Sequence, residues 1–277
     1  MRGGDDSTLV IQPSSPWRTI DLREVWRYRE LLYFFIWRDV KVRYKQTSLG
    51  ILWAVLQPLF AMLIFAFVFG RIARLPSDGT PYALFAYAGL LPWGFFANGV
   101  NMGGQSLIGS ANLITKVYFP RVLVPIAAVA TGLVDFGLAT LMLAPLLAMY
   151  RVVPDAGAFL WIPIIVIVEL LLAFGIAIWL SALVARFRDL RHVIPFMVQI
   201  WLFATPIVYP LSMVPERWRW LVQLNPMAGV VEAFRRSIFG RPVDATPLFW
   251  AALLAIALIG TGSIYFRRTE RMVADVL

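Results

Sequence analysis

Six long apolar runs set the terms on which this chain can fold. They cover about residues 49–70, 82–102, 122–149, 159–185, 193–210 and 246–266, each near the ~20 apolar residues a helix needs to cross the hydrocarbon core. Backbone amides cannot stay unpaired in lipid, so such runs become helices. Only 15% of the residues are charged and 60% are hydrophobic, with a mean hydropathy of +0.74; a soluble domain carries about 25% charged residues. The sequence predicts an all-α integral membrane protein with six transmembrane helices. Pro58, Pro92, Pro125 and Pro195 fall inside four of the runs, breaks that are tolerated where neighbouring groups pair the freed carbonyls. With no cysteine, disulfides and thiolate metal sites are excluded.

Charge sets the expected orientation. The net charge is +9, and the basic residues flank apolar runs, which favours a membrane surface over nucleic acid as partner. With the N-terminus in the cytoplasm, 17 of the 25 Lys and Arg fall on the inner side. Of the other eight, only Arg71, Arg74 and Arg151 lie in short outer loops. The positive-inside rule then predicts both termini in the cytoplasm. Residues 1–19 read as a flexible tail.

Residues 20–45, "IDLREVWRYRELLYFFIWRDVKVRYK", form a candidate amphipathic helix. At 100° per residue, Leu22, Val25, Trp26, Tyr33, Ile36, Trp37, Val40 and Tyr44 gather on one face, with Arg23, Glu24, Arg27, Glu30, Arg38, Lys41 and Lys45 roughly opposite. Arg29 and Arg43 fall near the apolar face, and "LLYFFIW" is apolar all round. This pattern predicts a helix lying in the inner membrane interface, either as a plain basic anchor or as a contact for a cytoplasmic partner or an anionic lipid. "MGGQSLIGSANLITKVYFPR" (102–121) falls on the same side. Gly103, Gly104 and Gly109 are expected to loosen its start, and Ser110 or Asn112 to cap a short helix before Pro120. It is either a docking element or a packed turn. On the outer side, "PERWRWLVQL" and "NPMAGVVEAFRRSIFG" predict two short helices within 215–240, the second with Asn225 as N-cap and Pro226 at its first position. At ~14 residues the second cannot cross the core. The pair forms a re-entrant hairpin, serving as a lid or a gate.

Chemistry is sparse. His192 is the sole histidine and lies at an inner boundary. No GxxxxGK[ST] phosphate loop occurs, so ATP is not bound by that route, and the chain is expected to hold neither metal nor cofactor. Two carboxylates sit at membrane depth, Asp135 and Glu169. With no Lys or Arg at that depth on either helix, they are expected to be protonated or hydrogen-bonded to Thr131, Thr140 or backbone. They act either as packing groups or as a proton relay. Aromatics are abundant, among them Trp53 and Phe60 on the first span, Tyr87, Trp93 and Phe96 on the second, and Trp201 and Tyr209 on the fifth. A subset facing a lumen suits sugars, whose C–H faces stack on rings while hydroxyls meet amides such as Gln57, Asn98, Asn101 and Gln199.

Four stretches in order, "RDVKVRYKQTSLGILWAVLQPL" (38–59), "LLPWGFF" (90–96), "LITKVYFPR" (113–121) and "NPMAGVVEAFR" (225–235), resemble the permease subunit of ABC-2-type polysaccharide exporters, which carry O-antigen, capsule or teichoic-acid chains. The resemblance spans nearly everything after residue 20. It implies a single ABC-2-type transmembrane domain, 20–277, with an interface helix at 20–45, a coupling helix within about 103–115 and outer gate helices at 215–240. It implies a homodimer in the bacterial cytoplasmic (inner) membrane, with two copies of a separate ATPase subunit that holds ATP and Mg. The chain itself would be no enzyme. The cargo would be an undecaprenyl-diphosphate-linked glycan. Arg38, Lys41, Arg43 and Lys45 are placed to receive the diphosphate at the inner mouth. Trp53, Gln57, Phe60, Tyr87, Trp93, Phe96, Trp201 and Tyr209 are the path candidates, and Gln105, Ser106, Ser110, Asn112 and Lys116 the ATPase-coupling candidates. The competing expectation is a proton-coupled secondary transporter using Asp135 and Glu169; a membrane-embedded transferase is disfavoured because no acidic pair clusters on a cytoplasmic loop.

Overall fold

The computed structural model describes residues 22–45, 49–154 and 157–276; the expected tail, 1–19, lies outside them. The helices in chain order are α1 (Leu22–Arg27), α2 (Arg29–Lys45), α3 (Leu52–Phe65, continued by a π-helix at Ala66–Ile72), α4 (Tyr82–Gly109), α5 (Ala111–Ile114), α6 (Leu123–Leu141), α7 (Leu143–Met149), α8 (Gly157–Arg186), α9 (Leu190–Ala204), α10 (Glu216–Leu224), α11 (Pro226–Ile238) and α12 (Ala245–Val276). The described residues contain no strand.

Among the described residues, five stretches are long and apolar enough to cross a membrane: Leu52–Ile72, Tyr82–Gly109, Leu123–Met149, Gly157–Arg186 and Ala245–Thr269. The fifth predicted span, 193–210, differs. Helix α9 stops at Ala204 after 15 residues, because Pro206 disfavours the helical conformation at Thr205; Thr205 is extended, with φ −100° and ψ 138°. The chain then continues through Thr205, Pro206, Ile207 and Val208, all buried. Irregular backbone survives at such a place only when protein groups satisfy it. Here the Arg235 guanidinium donates to the carbonyls of Pro206 and Ile207, and the Tyr82 hydroxyl donates to that of Val208 at 2.6 Å.

Helix α4 is the centre of the bundle. Of its most apolar stretch 78% is buried, against 6% for α3 with its π-helical continuation, whose outward side carries Phe60, Leu63, Ile64 and Phe67. Close packing of α4 on α6 and α8 rests on small residues, the usual device where lipid supplies no hydrophobic drive between helices. A Cβ added to Gly103 would stand 2.6 Å from that of Ala177 and 3.0 Å from Val129. Gly103 and Gly104 therefore do not loosen the chain as expected. They are helix interior, and α4 runs unbroken to Gly109.

The segment expected as one interface helix is two, broken by a turn at Tyr28. Its docked face also differs from expectation. Phe35 is buried at 2% exposure among Leu107, Phe119, Leu123 and Ala127, while Trp26 and Tyr33 are each 70% exposed. The run "LLYFFIW" offers apolar side chains in every direction, so periodicity alone did not select the inward one. Helix α11 is equally absorbed: eleven of its 13 residues are buried, packed on α4, α8 and α12. Asn225 caps it as predicted, accepting from the Met227 amide at 3.1 Å. No residue of α10 is buried.

Candidate functional site

Helix α2 does more than lie beneath the bundle. Phe35 packs edge-on against Phe119 with centroids 5.3 Å apart, at the foot of α6. At the other end of α2, Arg43 ion-pairs with Asp135 and the Tyr44 hydroxyl donates to the second oxygen of that carboxylate. Asp135 lies twelve residues into α6, ~18 Å along its axis. The end of α2 thus runs alongside the middle of a span. This corrects the expectation that Asp135 is protonated or hydrogen-bonded to Thr131, Thr140 or backbone: its partners, Arg43 and Tyr44, come from another helix, as intramembrane charges generally require. Burial, together with the bond to Asp135, pushes the Tyr44 hydroxyl well above its usual range and keeps it a donor.

Arg43, Tyr44 and Asp135 form the floor of a cavity of about 390 Å³ between α3, α4 and α6. Trp53, Gln57 and Pro58 line it from α3; Trp93, Phe95 and Asn98 from α4; Gly132 and Phe136 from α6. A space of this size suits one small ring or a short segment of a chain. Rings offer it flat apolar faces, and two amides offer donors and acceptors.

The expected path residues do not share one place. Trp53, Gln57 and Trp93 face the cavity. Phe96 and Trp201 stand behind Trp93: Trp201 meets Trp93 at 6.4 Å and Phe96 at 5.1 Å between centroids, and its indole N–H donates to Asn225 at 3.0 Å. Tyr87 is fully buried and donates to the Ala139 carbonyl at 2.8 Å. Phe60 points outward at 53% exposure, and the half-buried Tyr209 donates to the Phe203 carbonyl at 3.4 Å. Glu169 is fully buried on α8. Asp135 and Glu169 thus have different surroundings, one paired and cavity-lining, the other enclosed.

A second cavity, about 580 Å³, shares Arg43 with the first. Arg38, Arg43 and Arg191 line it together with Asp39, Gln105, Ser106, Ser110 and Thr131. Arg38 is paired with Asp39 at 2.8 Å, and Arg191 donates to His192 at 3.0 Å. Three of the expected coupling residues, Gln105, Ser106 and Ser110, therefore face this basic cavity. Lys41 sits over the Trp37 ring at 4.3 Å, and Lys45 is exposed at the end of α2.

The turn between α5 and α6 makes a third feature. Phe119 and Ile114 anchor it inward, at 4% and 7% exposure, while Val117 and Tyr118 project at 52% and 79%. Asn112 and Lys116 are exposed beside them. A cleft of about 340 Å³ runs from this turn to Glu24 and Val25 of α1 and to Phe266 and Arg267 of α12, with Arg267 and Glu24 3.8 Å apart.

The sequence carried one usable signal for the pairing that periodicity missed. Arg43 falls on the apolar side of its helix and Asp135 inside an apolar span, and two such misplaced opposite charges satisfy each other. Nothing in the spacing named Tyr44 as the third member.

Comparison with known proteins adds to this geometry. A family model described as ABC-2 type transporter matches residues 30–239. The chain is 32% identical over 254 residues to the O-antigen export system permease protein RfbA of Myxococcus xanthus, covering 90% of this chain and 96% of that protein. It is 29% identical over 248 residues to a protein of the same name from Klebsiella pneumoniae, covering 90% and 95%. The Polysialic acid transport protein KpsM of Escherichia coli is 23% identical over 247 residues, covering 86% and 93%.

Proposed function

Because this chain belongs to the ABC-2 type transporter family, we propose that it carries a lipid-linked glycan, O-antigen foremost, with capsule or teichoic acid as the further members of that class. The chain is a multi-pass membrane protein and an ABC-2-type permease of polysaccharide export. Family membership implies an ABC ATPase partner. The finer assembly is our proposal. Two copies of the chain associate in the bacterial cytoplasmic membrane, with both termini inside. Two copies of a separate subunit bind ATP and Mg and hydrolyse ATP, and the permease contributes no catalytic group. The turn carrying Val117 and Tyr118, with the adjoining cleft, receives that subunit. Its position next to α1, α2 and the end of α12 supports this, since a push there reaches the helix that carries Arg43.

The single observation behind the cargo is the pairing of two cavities. An arginine-lined space suits a diphosphate, because the guanidinium fork matches phosphate oxygens. Beside it lies a space walled by Trp53 and Trp93 with Gln57 and Asn98, which suits sugar rings. An undecaprenyl diphosphate bearing a glycan has both groups in that order. Proton-coupled transport through Asp135 and Glu169 is not favoured: the chain's relatives are ABC-2 permeases, and Asp135 is held by Arg43.

The test is made in cells deleted for this gene. Surface polysaccharide should disappear and polyprenyl-linked glycan should accumulate inside, with wild type restoring both. Trp53→Leu with Gln57→Leu, at exposed positions of α3, should restore ~10% or less of export, as the loss of one stacking face and one amide predicts, with membrane levels unchanged. Normal export from the deleted cells would refute the proposal.

A further inference from the structure

Arg43 stands at a junction. Among the described residues it is the one that lines both the basic inner cavity and the aromatic outer one. A ligand passing from the first space to the second meets its guanidinium, and that guanidinium already has an anionic partner in Asp135.

Comparison with a second arginine of the same chain shows what kind of contact this is. Arg235 is built as a fixture: 2% exposed, bonded to three backbone carbonyls and facing no cavity described above. The Arg43 and Asp135 side chains keep 27% and 21% exposure, and both border open space. Their bond is reachable by a solute. A diphosphate carries more charge and more acceptor oxygens than a carboxylate, so it competes well for one guanidinium. Arg191 lines the same inner cavity and adds to its positive field, while Arg38 there is paired with Asp39 of the same lining. When Arg43 turns away, Asp135 is not left bare, because the Tyr44 hydroxyl still donates to its other oxygen.

We infer that Asp135 is a displaceable counter-ion: it occupies Arg43 while the path is empty and releases the guanidinium to the diphosphate of an incoming lipid. This rests on the cargo proposed above and gives Asp135 a role that neither a proton relay nor a packing group has. Asp135 sets the affinity of the inner mouth. It holds Arg43 of α2 against α6 in the empty state, and the arriving diphosphate breaks that ion pair, leaving the Tyr44 hydrogen bond as the remaining tie between the two helices.

The sign of one substitution separates this from a purely structural ion pair. The full-length chain in nanodiscs is titrated with undecaprenyl diphosphate, with undecaprenol and with inorganic pyrophosphate. Asp135→Asn removes the competitor and should tighten undecaprenyl diphosphate binding by ~10-fold, while Arg43→Gln should weaken it by at least that factor, the size of one charge-assisted contact. Undecaprenol should bind alike to all variants. The exchange Arg43→Asp with Asp135→Arg keeps an ion pair between α2 and α6, and its thermal stability guards against misfolding; diphosphate binding should not return with it. Weaker or unchanged binding by Asp135→Asn, or full binding by the exchange variant, would overturn the inference. Equal affinity for inorganic pyrophosphate would overturn the lipid assignment. Cells lacking the gene that still export would instead refute the function proposed above.

Discussion

Replacing Arg235 with alanine is expected to abolish recovery of folded protein. The side chain is 2% exposed; its Nε donates to the Phe85 carbonyl at 3.2 Å and Nη1 to that of Pro206 at 2.6 Å, while Nη2 donates to Ile207. Its guanidinium carbon lies 3.6 Å from the Phe85 ring centroid. Two of these carbonyls belong to backbone that has already left α9, so no helix bond replaces the lost donors. Leaving such groups unpaired in the interior costs ~1–3 kcal/mol each, and the vacated volume adds to it. A loss of about 4 kcal/mol or more exceeds the margin of most folds. Arg235→Lys should recover only part of this, because an ammonium cannot span three separated carbonyls. Gly89→Ala attacks the same staple from α4, where an added Cβ would overlap the Arg235 guanidinium. Size-exclusion profiles and thermal unfolding in detergent check all three. A wild-type melting temperature for Arg235→Ala would show that the post-α9 segment is held in some other way.

The second large effect is on assembly rather than folding. Val117→Asp with Tyr118→Asp places two carboxylates on the tip of the α5–α6 turn, at side chains 52% and 79% exposed. Surface changes of this kind move stability by under ~0.5 kcal/mol. If an ATPase grips this turn, two buried charges without partners should weaken the complex by ~100-fold or more. The variant should therefore purify like wild type, fail to retain a co-expressed ATPase subunit and lose export. Retention of the ATPase with undiminished export would move the docking site elsewhere.

Much of the bundle was legible because lipid imposes one solution on a long apolar run. The limits of that legibility have physical causes. Composition did not show that the run at 193–210 breaks at Thr205, since the break depends on Pro206 and is tolerable only through Arg235 and Tyr82. Gly103 and Gly104 looked like loosened chain because a glycine that serves close packing and one that serves flexibility are the same letter; the difference lies in Ala177, Val129 and Leu180 across the interface. The docked face of α2 was hidden by an apolar run with no polar side to mark the outside. In the candidate site, residue types were readable but proximity was not: Trp53, Gln57 and Trp93 share a cavity, whereas Tyr87 turns inward to Ala139. Arg43 and Asp135 are 92 residues apart, and only the tertiary fold brings them together.

Flux through proteoliposomes tests the central claim most directly. The purified chain is reconstituted with and without its ATPase subunit, and an undecaprenyl-diphosphate-linked oligosaccharide is supplied on the face that carries the ATPase. Transport should require both subunits and ATP, and it should stop when the ATPase is replaced by a form that cannot bind nucleotide. Sustained movement by the chain alone, driven by a proton gradient and indifferent to ATP, would contradict the account.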